Sequence, residues 1–327
     1  MLTFKPNEVK AFKPSKVKAF KPNEVKAFKP NEVKAFKPNE VKADVSRLIR
    51  EQFPEYGDMA ITEVEAQGHD NMTYRLGDSL SIRLPNNERY ALQVAREHVI
   101  LPKLSQHLSF NIPAPVRMGQ PSQYFPHPFS IYRWLPGKSV NLLHLTDSDK
   151  ERLAHDLAKF LKELHAIEAI EGPGPGKHNY WRGAHINVYK EDAIRYIDEL
   201  NQLIDKDAAM SLLESACETK WEHEPVWVHG DLAVGNMLME EGRLTSIIDF
   251  GCTAVGDPAC DLVIAWTYLS GRSREIFIAE VGLDAGTWLR ARAWALWKAT
   301  YLLCKAQDKG SPEATEQEYI IDAAISI

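Results

Sequence analysis

The strongest constraint on this chain is a polar loop between short apolar runs, with an acidic turn behind it. It reads Val228-His229-Gly230-Asp231-Leu232-Ala233-Val234-Gly235-Asn236, and further on Ile247-Ile248-Asp249-Phe250-Gly251. Asp231 is followed five residues later by Asn236, and Asn236 thirteen residues later by Asp249. Each fragment alone is common. Six residues at fixed offsets, each at roughly 5% frequency, coincide by chance in on the order of five chains per million of this length. Phosphoryl transfer requires this inventory. One carboxylate orients an attacking hydroxyl and takes its proton, while an amide oxygen and a second carboxylate hold Mg²⁺ on the phosphates.

The rest of the chain offers two unlike pieces. Residues 3–42 are five copies of Ala-Phe-Lys-Pro-Asn-Glu-Val-Lys, with Thr3 opening the first and Ser15-Lys16 altering the second. Proline at 6, 14, 22, 30 and 38 forbids a continuous helix or a central strand. One Phe and one Val per repeat bury too little surface to offset ordering, so residues 1–43 read as a disordered basic tail. The tail carries 11 Lys against 4 Glu, and the remainder is net −13. Regular Lys spacing permits a polybasic arm for nucleic acid, but no aromatic–Arg recognition pattern accompanies it, so nucleic acid is not the expected partner.

Beyond the tail, Asp44 is placed to cap a helix carrying Val45, Leu48, Ile49 and Phe53. Strand patterns follow at 59–66, 71–76 and 79–84, a helix at 88–108, and a strand at 128–135 that stops at Pro136-Gly137. Helical patterns then dominate at 147–168, 187–205, 207–219, 258–269 and 284–307, with short strands at 226–229, 237–240 and 244–249. The fold class is therefore α+β, with a small β-rich lobe over 44–136 and a larger helical lobe over 137–327. Trp288, Trp294 and Trp297 read as core. No apolar run reaches the ~18–20 residues of a membrane span, and no secretory signal is visible. The four cysteines form no CxxC pair, so they read as reduced thiols of a cytoplasmic protein.

The loop and turn together resemble the aminoglycoside phosphotransferase family of kinase-like enzymes. Gly256-Asp257-Pro258-Ala259-Cys260-Asp261-Leu262 matches the segment that follows that family's metal-binding Asp. The resemblance covers about residues 44–310. It implies a protein-kinase-like two-lobed fold, ATP or GTP as donor, Mg²⁺, and a small-molecule hydroxyl acceptor. Asp231 would be the catalytic base, Asn236 and Asp249 the metal ligands, and His229 and Asp261 the supports of the catalytic loop. In the kinase pattern a strand Lys meets the phosphates and pairs with a helix Glu. Here that strand offers Arg83, with Glu97 as its partner, a departure because Arg is a permanently charged fork and Lys a point charge. Gly68, Asn71 and Thr73 would cover the phosphates, and Tyr132, Arg133, Trp134 and Leu135 would form the hinge that meets the base.

The acceptor stays open among an aminoglycoside or macrolide hydroxyl, a choline-like or sugar alcohol, and an unknown compound. The segment His178–His185 is the candidate for shaping its pocket. A catalytically silent nucleotide-binding module is the remaining alternative. A protein kinase is disfavoured, since the loop is His-Gly-Asp and no Ala-Pro-Glu follows Asp249-Phe250-Gly251.

Overall fold

Apolar periodicity sets the first element. In a computed structural model that describes residues 38–64 and 70–326, helix α1 (Pro38–Gln52) buries Val45, Leu48 and Ile49. It begins inside the last repeat copy, not at the expected Asp44 cap. Proline is tolerated in a first turn because its missing N–H has no helical partner there. Asp44 lies within the helix and its carboxylate accepts from Arg47 at 3.2 Å. Residues 1–37, with most of the repeat tail, fall outside the described residues. The chain divides into two units, Met1–Val41 and Lys42–Ile327, and everything below concerns the second.

The β-rich part contains β1 (Ile61–Glu63), β2 (Asn71–Leu76), β3 (Leu80–Pro85), helix α2 (Glu88–Leu104), β4 (Pro115–Gly119) and β5 (Phe129–Arg133). The strands form one antiparallel sheet in the order β1-β2-β3-β5-β4. Gly77, at φ +58°, makes the β2–β3 turn, a left-handed conformation that favours glycine. The β2–β3 register sets Thr73 opposite Arg83. Asn87 caps α2 by accepting from the Tyr90 N–H. That helix packs on the sheet and carries Gln93 and Glu97 into buried positions.

The helical part follows β6 (Lys138–Ser139). Its elements are α3 (Asp147–His165), α4 (Lys190–Glu199), α5 (Lys206–Glu218), β7 (Val226–Val228), β8 (Met237–Glu240), β9 (Arg243–Ile247), β10 (Ala254–Gly256), α6 (Ile264–Thr267), α7 (Gly271–Val281), α8 (Ala285–Lys305) and α9 (Pro312–Ile325). The strands make two small sheets, β6-β8-β9 and β10-β7, which bracket the polar loop. A capping box closes the start of α3, with Thr146 and Asp149 satisfying each other's backbone N–H. Leu153, Leu157, Phe160, Leu161 and Leu164 of α3 are fully buried, and α3 packs on α7 while α8 packs on α4, α5 and α9.

Further elements differ from the sequence reading, and the short strands β6 and β10 were not expected. The expected helix at 258–269 is a 3₁₀ turn, Pro258–Asp261, followed by the single turn α6. Helices α7 and α9 were not expected. Trp294 is buried, and Trp288 and Trp297 are half-buried against the same core. No described helix is long and apolar enough to cross a membrane.

Candidate active site

The loop after β7 is built from its backbone outward. Gly230 adopts φ +85°, and a Cβ there would lie 2.3 Å from the Cys252 carbonyl oxygen, so only glycine fits. The Asp261 carboxylate, fully buried, accepts from the N–H of His229 at 2.6 Å and of Gly230 at 2.7 Å. Burial lifts the Asp261 carboxyl above its ordinary value, while His229 and the two N–H groups work against that rise. His229 is also fully buried. Its Nδ1 accepts from the Asp231 N–H at 3.2 Å, so Nε2 carries the proton and donates to the Ile248 carbonyl at 2.9 Å. The ring meets Phe250 edge-on at 4.6 Å. This one imidazole therefore ties the Asp231 loop to the strand end that carries Asp249.

Asn236 completes the loop. Its side-chain amide nitrogen donates to the Asp231 carbonyl at 2.9 Å and to the Asp231 carboxylate at 3.3 Å, and its backbone carbonyl accepts from the Ile248 N–H at 2.9 Å. With the nitrogen so engaged, Oδ1 of Asn236 is left as a hard oxygen donor. Asp249 sits at φ +68°, a left-handed conformation costly for a residue other than glycine and concentrated at functional sites. Two protein oxygens suit Mg²⁺, which takes its remaining ligands from phosphates and water. Among the described residues no group of three or more His, Cys, Asp or Glu could hold a metal unaided.

The sheet reaches this loop through Arg83 on β3. Its guanidinium lies 3.5 Å from Asp249 and 3.9 Å from Glu97. Burial acts against the Arg83 charge, but Glu97 and Asp249 outweigh it, and the net shift is upward. Glu97 is buried on α2, accepts from the Tyr132 hydroxyl, and its carboxyl is raised by burial against the opposing pull of Arg83. Arg96 adds a second link from α2, donating to the Gly251 carbonyl at 3.1 Å. The Cys252 thiol beside these groups is pushed up to about 12, chiefly by burial and then by Asp231, so it stays protonated at neutral pH.

The structure thus brings Arg83, Glu97, Tyr132, His229, Asp231, Asn236, Asp249 and Asp261 into one connected network. The other expected residues fare differently. Gly68 lies outside the described residues. Asn71 and Thr73 belong to strand β2, not to a loop, and Asn71 is buried opposite Pro85. In the expected hinge, Arg133 and Trp134 use their N–H groups within the sheet, donating to Ala114 at 2.9 Å and to Ser79 at 2.8 Å. The Trp134 ring lies under the Arg75 guanidinium, 4.7 Å from its centre.

One neighbour of the loop escaped the sequence reading. Lys298 of α8 places its ammonium 3.7 Å from the Asp231 carboxylate. The signal was present as a lone cation in the apolar run Trp294-Ala295-Leu296-Trp297-Lys298-Ala299. Beside this pair opens a pocket walled by Leu232, Val263, Ile264 and Trp294, with Arg182 contributed from the 178–185 segment.

The model of the phosphotransferase enzyme family matches residues 61–295. The chain belongs to the phosphotransferase enzyme family. Among curated proteins, this family member is 27% identical over 143 residues to the aminoglycoside 3'-phosphotransferases of Escherichia coli and Salmonella typhimurium. That match covers 41% of the chain and spans about half the length (50%) of those relatives. Among solved structures, the GDP complex of wild-type aminoglycoside 2'-phosphotransferase-IIIa aligns with a TM-score of 0.65 at 22% identity, covering 87% of this chain and 98% of that one. The apoenzyme of macrolide 2'-phosphotransferase MphH from Brachybacterium faecium aligns with a TM-score of 0.56 at 19% identity, covering 88% and 98%. At these identities the structural likeness establishes the kinase-like α+β fold of this phosphotransferase-family chain.

Proposed function

We propose that the chain transfers the terminal phosphoryl group of ATP or GTP to a hydroxyl of a small molecule. The observation that carries this reading is the network in which Asn236 binds Asp231 and adjoins Asp249, while Arg83 links Asp249 to the sheet. The β-rich residues 44–136 would clamp the nucleotide, and residues 137–327 would supply the catalytic loop and acceptor pocket. An aminoglycoside or macrolide hydroxyl is the acceptor class that the named relatives suggest.

In this mechanism Asp231 accepts the acceptor's hydroxyl proton as that oxygen bonds to the terminal phosphorus. The bond from phosphorus to the bridging oxygen breaks, and its electron pair leaves with the nucleoside diphosphate. Asn236 fixes the Asp231 carboxylate through its amide nitrogen, and His229 fixes the Asp231 backbone. Arg83 stabilises negative charge gathered at the phosphates, held in place by Glu97 and Tyr132. Magnesium, held by Asp249 and the Asn236 oxygen, would supply further charge neutralisation at the phosphates.

The test is nucleoside diphosphate release with Mg²⁺ and ATP or, separately, GTP, against aminoglycosides, macrolides and simple metabolic alcohols. Asp231→Asn serves as the control. Release that depends on an acceptor and vanishes in the variant is the expected result. Nucleotide binding with no release across the panel would leave a kinase whose acceptor lies outside it, and silence without Mg²⁺-nucleotide binding would count against the kinase reading.

A further inference from the structure

The pocket beside Asp231 is unlike one that takes a polycation. Its walls are mostly apolar, and its charged members are Arg182, Asp231, Lys298 and Glu316. Of the two carboxylates, Asp231 is already 3.7 Å from Lys298, and Glu316 stands exposed on α9 at the rim. A polycationic acceptor would meet two cations and gain one unengaged carboxylate.

Arg182 is the unexplained group. It is half-buried, its Nε is buried with no hydrogen-bond partner, and no carboxylate among the described residues forms an ion pair with it. The guanidinium lies over the Trp294 ring, 5.2 Å from its centre. Asp261, which feels its charge, already accepts from two backbone N–H groups. Two neighbouring aromatic residues are held in left-handed backbone, Tyr180 at φ +53° and Trp181 at φ +57°. Such strain persists only where the surroundings enforce it. The enforcing contacts are visible. Arg89 stacks on the Tyr180 ring at 3.9 Å, the Tyr189 hydroxyl donates to the Tyr180 carbonyl at 2.9 Å, and the Asp257 N–H donates to the Gly183 carbonyl at 2.7 Å.

A half-buried guanidinium without an anion is an incomplete pair, and a planar fork matches a carboxylate. We propose that the acceptor is an apolar hydroxy acid whose carboxylate binds Arg182 while its hydroxyl faces Asp231. One charge suffices, because Asp231 lies beside Lys298 and Glu316 stands exposed at the rim, which leaves Arg182 as the half-buried cation of the pocket without an ion pair. Lys298 then serves a second purpose, keeping amines away from the reacting carboxylate. This inference rests on the phosphotransferase reading of Asp231 but concerns the occupant of its pocket.

The experiment uses the full chain with Mg²⁺ and ATP, and a matched set of ligands: mandelate, its neutral amide mandelamide, and the amine phenylethanolamine, with kanamycin as the polycation. Binding is read by calorimetry and transfer by ADP release. Mandelate should bind at least about tenfold tighter than mandelamide, with the amine weaker still, as expected for one charge-assisted contact. Arg182→Gln should erase that preference through a raised Kd or KM for mandelate alone. Equal or absent binding of mandelate and mandelamide by the unaltered chain overturns the proposal and needs no variant. Preferred turnover of kanamycin, abolished by Asp231→Asn, would overturn it while leaving the phosphotransferase reading intact. A uniform fall in kcat for every acceptor in Arg182→Gln, with charge preference kept, would assign Arg182 to the transferring phosphate and also overturn it. Selective mandelate binding without release from any acceptor would sustain the carboxylate site and count against the phosphotransferase reading.

Discussion

Replacing Arg290 with Met tests how the pocket is anchored. Arg290 of α8 is fully buried, and its Nε lies 2.6 Å from the Asp257 carboxylate, itself 6% exposed. The guanidinium also donates to Thr219 and Thr287, each at 3.0 Å. Met fills much of the volume but leaves Asp257 buried with only the Ala259 N–H, at 3.0 Å, as partner. An uncompensated buried charge of this kind costs about 3–5 kcal/mol. At about 2.1 cal/mol/K of unfolding entropy per residue, that corresponds to a fall in Tm of roughly 4–8 °C for a chain of this size. Adding Asp257→Asn removes the stranded charge while keeping an oxygen for Ala259, so the double variant should recover most of the loss. The measurement is urea unfolding of the single and double variants, followed by tryptophan fluorescence. A cost under about 1 kcal/mol for Arg290→Met, or a double variant as unstable as the sum of the singles, would refute the reasoning. Because the Asp257 N–H also holds the Gly183 carbonyl, Arg290→Met should also blur ligand selectivity at Arg182.

Asp231→Asn should lower turnover by about 10² to 10⁴ while nucleotide Kd moves less than about threefold, checked by steady-state kinetics and calorimetry, because in the proposed mechanism the change removes the base without touching the phosphates. Gly230→Ala should cost about 2 kcal/mol or more, since its Cβ meets a backbone carbonyl at 2.3 Å in left-handed backbone; Gly235→Ala, with nothing within 4 Å, should cost under about 0.5 kcal/mol in the same urea unfolding experiment. His165 is held down to about 4 by burial, with Nε2 lacking a partner, against 6.5 when free. The unfolded chain therefore binds a proton first as pH falls. Stability present above pH 6.5 should drop by on the order of 3 kcal/mol toward pH 4, and His165→Leu should flatten that limb in pH-dependent urea melts.

What could be read from the residues was whatever lies close along the chain. The loop from His229 to Asn236 and the turn at Asp249 are legible because a few backbone bonds fix them, and their spacing reports the geometry directly. Arg83 and Glu97 were reachable through the resemblance, whose pattern pairs a strand cation with a carboxylate on the following helix. Lys298 was not, because its place beside Asp231 depends on how α8 docks, and sequence distance hides that. Helix α9 carried a readable start, Ser311-Pro312-Glu313 with Ser311 capping the Ala314 N–H, which the reading passed over. Helix α7 offered less, opening on Gly271 and burying only Ser273, Phe277 and Val281. The start of α1 was hidden differently. Treating the repeats as one unit obscured that the last copy, whose Pro38 falls in a first turn, can begin a helix.

The departure at Arg83 then acquires a physical meaning. A lysine at this place would bring one small ammonium to two carboxylates on different elements, and its best position for one would weaken the other. The Arg83 guanidinium is broad enough to stand 3.9 Å from Glu97 with one nitrogen and 3.5 Å from Asp249 with the other. It also lies 5.6 Å from the centre of the Tyr132 ring, whose hydroxyl fixes Glu97. Sheet, helix α2 and the loop after β9 are therefore joined through one side chain before any phosphate arrives. Burial lifts Glu97 while Arg83 opposes the rise, so removal of the guanidinium would disturb Glu97 and Asp249 together. In this chain the arginine organises the two carboxylates as well as presenting charge, and a substitution that kept only the charge would lose half of that role.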